Sequence, residues 1–183
     1  MSESIIIRHS KPEKSWDCLS YEELLQLLQQ KYEPEIDCCF FDEYINTSKI
    51  SQMKISLIIC SPSYRAMQTA QKIAKIMKLP IMTFNQFNEI SFQDLPFEQF
   101  VKGKDQIKDY LINQTKITDI IPVISAIKQI PPNTLIISHG FLMRKMYSHL
   151  FGIELAHLKN DKRFTQYLSG FNINTGEFVS LKK

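Results

Sequence analysis

Two histidines and two arginines carry the chemistry this sequence offers. Arg8 and His9 adjoin in Ile6-Ile7-Arg8-His9-Ser10, Arg65 closes Ser61-Pro62-Ser63-Tyr64-Arg65, and His139 stands in Ser138-His139-Gly140. Burying so much positive charge without a partner costs several kcal/mol. An anion is the natural partner, and a phosphoryl group accepts forked guanidinium contacts well. A histidine can take up a phosphoryl group directly and split one hard displacement into two easier ones. Arg8, Arg65 and a protonated His139 would neutralise the equatorial oxygens as the group moves. The leaving alkoxide needs a proton, which calls for a carboxylic acid nearby. No Gly-rich phosphate loop and no carboxylate cluster for Mg²⁺ is visible, so nucleotide-loop and metal-assisted mechanisms are poorly supported and no cofactor is expected.

The elements that must position these residues are legible from periodicity. Residues 4–8, 55–60 and 134–138 are short, continuous β-branched runs, the signature of strands buried on both faces. Each runs into one of the three polar clusters. In open α/β sheets ligands bind beyond the carboxyl ends of the strands, so the clusters should converge on one sheet edge. Helical patterns lie between. Ser20-Tyr21-Glu22-Glu23 is a capping box ahead of Leu24, Leu25, Leu27 and Leu28. Residues 64–78 repeat apolar groups at helix spacing and stop before Pro80. This helix, beginning near Ser63, should add N-terminal amides to the anion pocket. A third pattern runs over 119–130 and a fourth from Phe141 to Phe151, ending at Gly152. Residues 166–181 read as a hairpin turning at Asn174-Thr175-Gly176. The expectation is a single domain over 1–183, a three-layer α/β/α fold with a mostly parallel central sheet.

Composition narrows the function classes. The chain has 183 residues, 44% hydrophobic, with 22 basic and 19 acidic side chains for a formal charge of +3. A charge so small and scattered does not point to nucleic acid. No aliphatic run approaches the roughly 20 residues that span a bilayer, and no signal-peptide core is visible. Cys18, Cys38, Cys39 and Cys60 show no metal-ligand spacing and read as free thiols in a reducing, cytoplasmic setting. The sequons at Asn46 and Asn113 are then chance matches.

The same residues resemble the signatures of the histidine phosphatase superfamily, the phosphoglycerate mutase-like fold. Ile6-Ile7-Arg8-His9-Ser10 resembles its Arg-His-Gly signature. The segment from Ser61 to Ala70 looks like its Ser-x-x-x-Arg-Ala-x-Gln-Thr-Ala stretch, and Ile136 to Arg144 looks like its second-histidine motif. The three occur in family order across residues 5–144. The resemblance implies that His9 is the phosphorylated nucleophile, that Arg8, Arg65 and His139 form the phosphate pocket, and that the Gly140 amide reaches the phosphate. Glu89 sits where many members carry the proton donor, with Asp94, Glu43 and Asp17 as alternatives. Departures are Ser10 for the usual Gly, Lys11-Pro12 for Glu-Thr, Ser15 for an Asn often found six places after the nucleophile, and Gln93-Asp94-Leu95-Pro96 after Glu89.

The function implied is that of a histidine-type acid phosphatase, acting without metal on a phosphomonoester. Its partner is a small phosphorylated substrate or a phosphoprotein. Two alternatives stand beside it: a protein phosphohistidine phosphatase, and a phosphate-binding module of the same fold without turnover. A mutase is disfavoured by chain length. His149 and His157 read as structural or surface residues, Cys60 as a small core residue and Lys159–Arg163 as a solvated face. Phe40-Phe41 and Phe97–Phe100 are candidates for a substrate cap. Substrate selection is expected in loops around 11–20, 37–54 and 92–118.

Overall fold

The computed structural model describes residues 3–14, 18–28, 31–89, 120–158 and 160–183. Each of the three aliphatic runs forms a strand: β1 (Ile5–Arg8), β2 (Leu57–Cys60) and β4 (Thr134–Ser138). A short β3 (Ile81–Thr83) and the hairpin β5 (Ser169–Asn172) and β6 (Phe178–Ser180) complete one sheet among the described residues, in the order β3-β2-β4-β1-β5-β6. β1 and β2 both run parallel to β4, and β3 runs parallel to β2. β5 and β6 are antiparallel additions at one edge. Gly176, in the left-handed region at φ 75°, completes the hairpin turn where Asn172 Oδ1 accepts the amides of Asn174 and Thr175.

Alternate residues of the central strands feed two cores, as the strand period of two requires. Ile5, Ile7, Ile58, Leu135 and Ile137 face one cluster, and Ile6, Ile59 and Ile136 face the other. Helices α2 (Cys38–Tyr44), α3 (Thr47–Gln52) and α4 (Tyr64–Met77) contribute Phe41, Ile50, Ala66, Ala70 and Ile73 to the first. Helices α5 (Ile121–Ile127) and α6 (Gly140–Phe151) contribute Val123, Ala126, Leu142, Met143 and Met146 to the second. The result is the three-layer α/β/α arrangement expected. Each fully buried isoleucine contributes about 1.5–3 kcal/mol, so this double-faced aliphatic sheet fixes the strand register firmly. None of the helices among the described residues is long and apolar enough to cross a membrane.

Local signals hold in detail. Helix α1 (Tyr21–Leu28) starts with the reciprocal capping box: the Glu23 amide donates to Ser20 Oγ, and the Ser20 amide donates to a Glu23 carboxylate oxygen. α4 stops at Lys78 in the left-handed conformation, and α6 stops at Gly152 in the same region. The third helix covers less than its periodicity indicated, Ile121–Ile127, with Lys128 as its cap.

One expectation needs correcting. Residues 37–54 are largely the helices α2 and α3, not a loop. Asp37 caps the first by accepting the Phe40 amide, and Asn46 caps the second by accepting the Lys49 amide. Phe41, Ile45 and Ile50 bury their side chains beneath them. Helices this short hold through caps and packing rather than long periodic stripes, which is why periodicity misses them. The segment 92–118 lies outside the described residues.

Candidate active site

The carboxyl ends of β1, β2 and β4 lie side by side, because Arg8 pairs with Ser138 and Cys60 with Ile137 across the ladder. The chain leaves each strand at the same edge. There the structure brings together Arg8 from the end of β1 and His9 just after it, Ser61, Ser63 and Arg65 from the β2–α4 junction, and His139 and Gly140 from the β4–α6 junction. The two imidazole centroids are 5.2 Å apart. Arg65 joins them, its Nε donating to His9 Nε2 at 3.1 Å and its Nη2 contacting His139 Nδ1 at 3.2 Å.

Hydrogen bonding assigns a protonation state to each ring. An arginine carries only donors, so both nitrogens facing Arg65 must accept. The opposite nitrogens then carry the protons. His9 Nδ1–H donates to the Ser10 carbonyl at 2.6 Å, and His139 Nε2–H donates to Ser61 Oγ at 2.9 Å. Both rings are almost wholly buried. Burial, then the Arg65 charge, push each imidazole well below its ordinary value; Arg8 adds to this at both, and His9 also acts on His139. The protonated His139 expected from sequence belongs to the step in which a phosphoryl group is present; in the free site burial first, then the Arg65 charge, favours the neutral ring. A dianionic group beside the guanidinium charges would offset their field and favour the imidazolium.

Arg8 is held along its length. Its guanidinium lies 4.1 Å from the centroid of the Tyr167 ring, and Nη1 donates to the Thr165 carbonyl. Its Nε stands buried without a hydrogen-bond partner. Tyr167 was not singled out by sequence, and it also lies against His9, with centroids 5.9 Å apart. The next residue, Leu168, adopts a left-handed backbone at φ 55°. A non-glycine residue there is strained, and buried Leu168 is fixed in place by its amide on the Arg8 carbonyl and its carbonyl on the Leu181 amide. That turn presents Tyr167 to the site. No local sequence signal announces it, since Leu is a poor left-handed residue.

Gly140 packs against Arg8. A Cβ built there would lie 3.0 Å from the Phe164 carbonyl oxygen and 3.5 Å from Arg8 Nε. Glu89 reaches the same helix start from the far side: its carboxylate accepts the Leu142 amide at 3.0 Å and the Phe141 amide at 3.4 Å. Its charge is felt by Arg65, whose guanidinium burial otherwise disfavours. The 3-10 turn Asn85–Phe87 that delivers Glu89 is tied down by Ser138 Oγ, which donates to the Phe87 carbonyl at 2.7 Å.

Other expectations resolve variously. Ser10 is fully buried, with its amide on Thr69 Oγ1 and its hydroxyl without a partner. The first amide of α4 does not face the anion pocket unpaired; Tyr64 N donates to the Glu33 carboxylate, and the Ser63 hydroxyl turns toward His139 Nε2 at 3.2 Å. Glu43 is exposed on α2; Asp17, Asp94, Ser15 and Phe97–Phe100 lie outside the described residues. Phe41 is core, whereas half-buried Phe40 meets Tyr167 at 6.2 Å. His149 and His157 are exposed and Cys60 is buried. Arg163 pairs with Asp161 on the surface, and Lys159 lies outside the described residues. No three His, Cys, Asp or Glu side chains converge to hold a metal among the described residues.

Comparison with known proteins bears on the superfamily and the fold. The sequence model of the histidine phosphatase superfamily (branch 1) matches residues 47–116, the part of the chain that contains Arg65 and Glu89. No curated protein sequence matches. Among solved structures, a phosphoserine phosphatase mutant from Entamoeba histolytica in complex with phosphoserine superposes with a TM-score of 0.60 at 19% identity, covering 98% of this chain and 94% of that one. Phosphoserine phosphatase from the same organism in complex with 3-phosphoglyceric acid gives 0.58 at 20% identity, with coverage of 87% and 84%. A native mycobacterial glucosyl-3-phosphoglycerate phosphatase gives 0.60 at 14% identity, with coverage of 86% and 83%. At these identities the likeness establishes the fold; the three structures named are of phosphatases.

Proposed function

We propose, starting from the histidine phosphatase superfamily match and its shared fold, that this protein hydrolyses a phosphomonoester without a metal ion through a phosphohistidine on His9. The observation that carries the reading is the state of His9: its Nδ1 proton is held by the Ser10 carbonyl, and its bare Nε2 points at Arg65 among the positive groups. A nitrogen lone pair so presented is a nucleophile that needs no prior deprotonation.

The chemistry follows from that lone pair. Nε2 attacks phosphorus as the ester P–O bond breaks, and the leaving oxygen takes a proton to become an alcohol. Arg65 exchanges its contacts with the two imidazoles for phosphoryl oxygens, Arg8 adds a second guanidinium, and His139 donates once protonated. Charge developing on the equatorial oxygens thus meets donors already in place. Water then displaces His9 from phosphorus, releasing inorganic phosphate and regenerating the imidazole.

Glu89 is the proposed proton donor to the leaving group. Its engagement with the amides of Phe141 and Leu142 favours a second reading, because a carboxylate accepting helix amides is held as an acceptor. A phosphohistidine substrate has a better leaving group and needs no such donor. Glu89→Gln separates the two readings. Severe loss on phosphoserine assigns Glu89 the donor role there, and turnover of a phosphohistidine peptide that is faster than that of phosphoserine and unaffected by the substitution supports the second; retained activity on phosphoserine removes Glu89 from the donor role.

The test of the main reading is hydrolysis of p-nitrophenyl phosphate in EDTA between pH 5 and 7.5 by the wild type and His9→Ala. EDTA-resistant turnover that disappears in the variant is expected. Turnover surviving in His9→Ala overturns the mechanism. Phosphoserine, 3-phosphoglycerate and glucosyl-3-phosphoglycerate head the substrate screen, by analogy with the structural neighbours.

A further inference from the structure

Ser61 opens the stretch that resembles the Arg65 motif and Asn88 precedes Glu89; neither is given a task by that resemblance, yet they form the far end of a hydrogen-bond chain that leads into the pocket. Ser61 is fully buried and its Oγ has three polar neighbours. It donates to Asn88 Oδ1 at 2.6 Å, accepts the Ser63 amide at 3.1 Å, and meets His139 Nε2 at 2.9 Å. A hydroxyl has one proton. With that proton committed to Asn88, the contact to His139 requires the imidazole to be the donor. Arg65 imposes the same tautomer from the other side, since its Nη2 can only donate to Nδ1. The two constraints come from different elements and agree.

We infer that Ser61, anchored by Asn88, is a positioning residue that fixes His139 as its Nε2–H tautomer, so that His139 can hydrogen-bond an oxyanion only after taking up a second proton. The inference rests on the phosphate-pocket reading of His139. When an oxyanion draws Arg65 away, Nδ1 faces it. A neutral ring could donate from Nδ1 only by giving up the Nε2 proton, and Ser61 would then have to turn its hydroxyl from Asn88 for Nε2 to keep its 2.9 Å bond. The Ser61–Asn88 bond resists that turn, so the proton comes from solvent and the ring becomes an imidazolium. Anion binding is in this way coupled to proton uptake at one ring. The charged and titratable groups facing that ring are Arg65 from α4, Arg8 at the end of β1 and His9 just after it, and a bound dianion offsets the two guanidinium charges. Ser63 Oγ, at 3.2 Å from Nε2, is the longer and weaker second partner, accepting from Nε2–H or donating to a bare Nε2.

The test reads the ring directly by long-range ¹H–¹⁵N correlation of the imidazoles in the ¹⁵N-labelled full-length protein at pH 7.5, with the His139 signals assigned by their loss in His139→Gln. Without added anion, His139 of the wild type is expected as Nε2–H with a bare Nδ1. On saturation with tungstate, the bare-nitrogen signal should vanish and both nitrogens should read as protonated. In Asn88→Leu, which frees the Ser61 hydroxyl, tungstate should leave His139 neutral with the proton on Nδ1. Ser61→Thr, which keeps the hydroxyl, should behave as the wild type. An Nδ1–H tautomer in the free wild type, or a neutral Nδ1–H ring in its tungstate complex, overturns the inference. So does an Asn88→Leu complex that still shows the imidazolium. Absence of tungstate binding by the wild type would instead count against the phosphate pocket, and the free-state tautomer would still decide the role of Ser61.

Discussion

Gly140→Ala separates a requirement of the site from a requirement of the fold. The added methyl carbon would sit 3.0 Å from the Phe164 carbonyl oxygen and 3.5 Å from Arg8 Nε. The first distance is short by a few tenths of an ångström; the second is ordinary contact. Phe164 lies in the turn Lys162–Thr165, whose Thr165 carbonyl also holds Arg8. Relief of the short contact therefore moves the anchor of the Arg8 guanidinium. Overpacking costs about 1–3 kcal/mol, while replacing glycine by alanine at a helical residue returns up to about 1 kcal/mol. The net destabilisation should be about 0–2 kcal/mol, and the variant should fold. Losing one charge-assisted hydrogen bond to an oxyanion costs about 1.5–3 kcal/mol, which corresponds to tungstate affinity about 10–100-fold weaker. The contrasting variant is Gly170→Ala, whose Cβ would lie 1.8 Å from the Ile6 carbonyl oxygen in the β1–β5 pair. That one should fail to fold. Urea denaturation and tungstate titration of Gly140→Ala measure both quantities. Stability lost in step with affinity, or affinity left unchanged, would refute the claim that Gly140 serves Arg8.

Two more outcomes follow from the same geometry. In the folded protein His9 and His139 titrate well below their ordinary range, while the unfolded chain takes up both protons near pH 6.5. The unfolded state thus binds more protons in that window, and stability should fall as pH drops below about 6.5, by at most about 1.4 kcal/mol per pH unit for each ring. Urea midpoints between pH 7.5 and 5 check the sign; midpoints that rise toward acid contradict it. Tyr167→Leu removes the ring beneath Arg8, worth about 0.5–2 kcal/mol, and should weaken tungstate binding about 2–30-fold. Tyr167→Phe keeps the ring face and should bind as the wild type does; equal losses in both variants would point to the hydroxyl instead.

Much of the site was legible because its residues sit where strands end. Arg8, His9, Arg65, His139 and Gly140 each follow an aliphatic run or open the helix after it, so period and position alone predicted their convergence. Glu89 was named only through the resemblance, and its hydrogen bonds place it at the start of α6. Tyr167 was hidden because its placement depends on a left-handed leucine, which no propensity favours. Asn88 was hidden because its contact with Ser61 spans 27 residues, beyond any local pattern. The neutral state of His139 in the free site was not legible, because charge type is written in sequence and burial is not. Helices α2 and α3 escaped notice because each is brief and rests on a cap and one or two buried side chains.

The most direct measurement is to trap the covalent intermediate. Wild-type protein is mixed with a ³²P-labelled phosphomonoester that it hydrolyses, quenched in alkali within one turnover, and digested for peptide mapping. Label on the peptide containing His9, stable to base and lost in acid, is the result expected, with none in His9→Ala. Label on any other residue, or hydrolysis by His9→Ala at the wild-type rate, would contradict nucleophilic catalysis by His9.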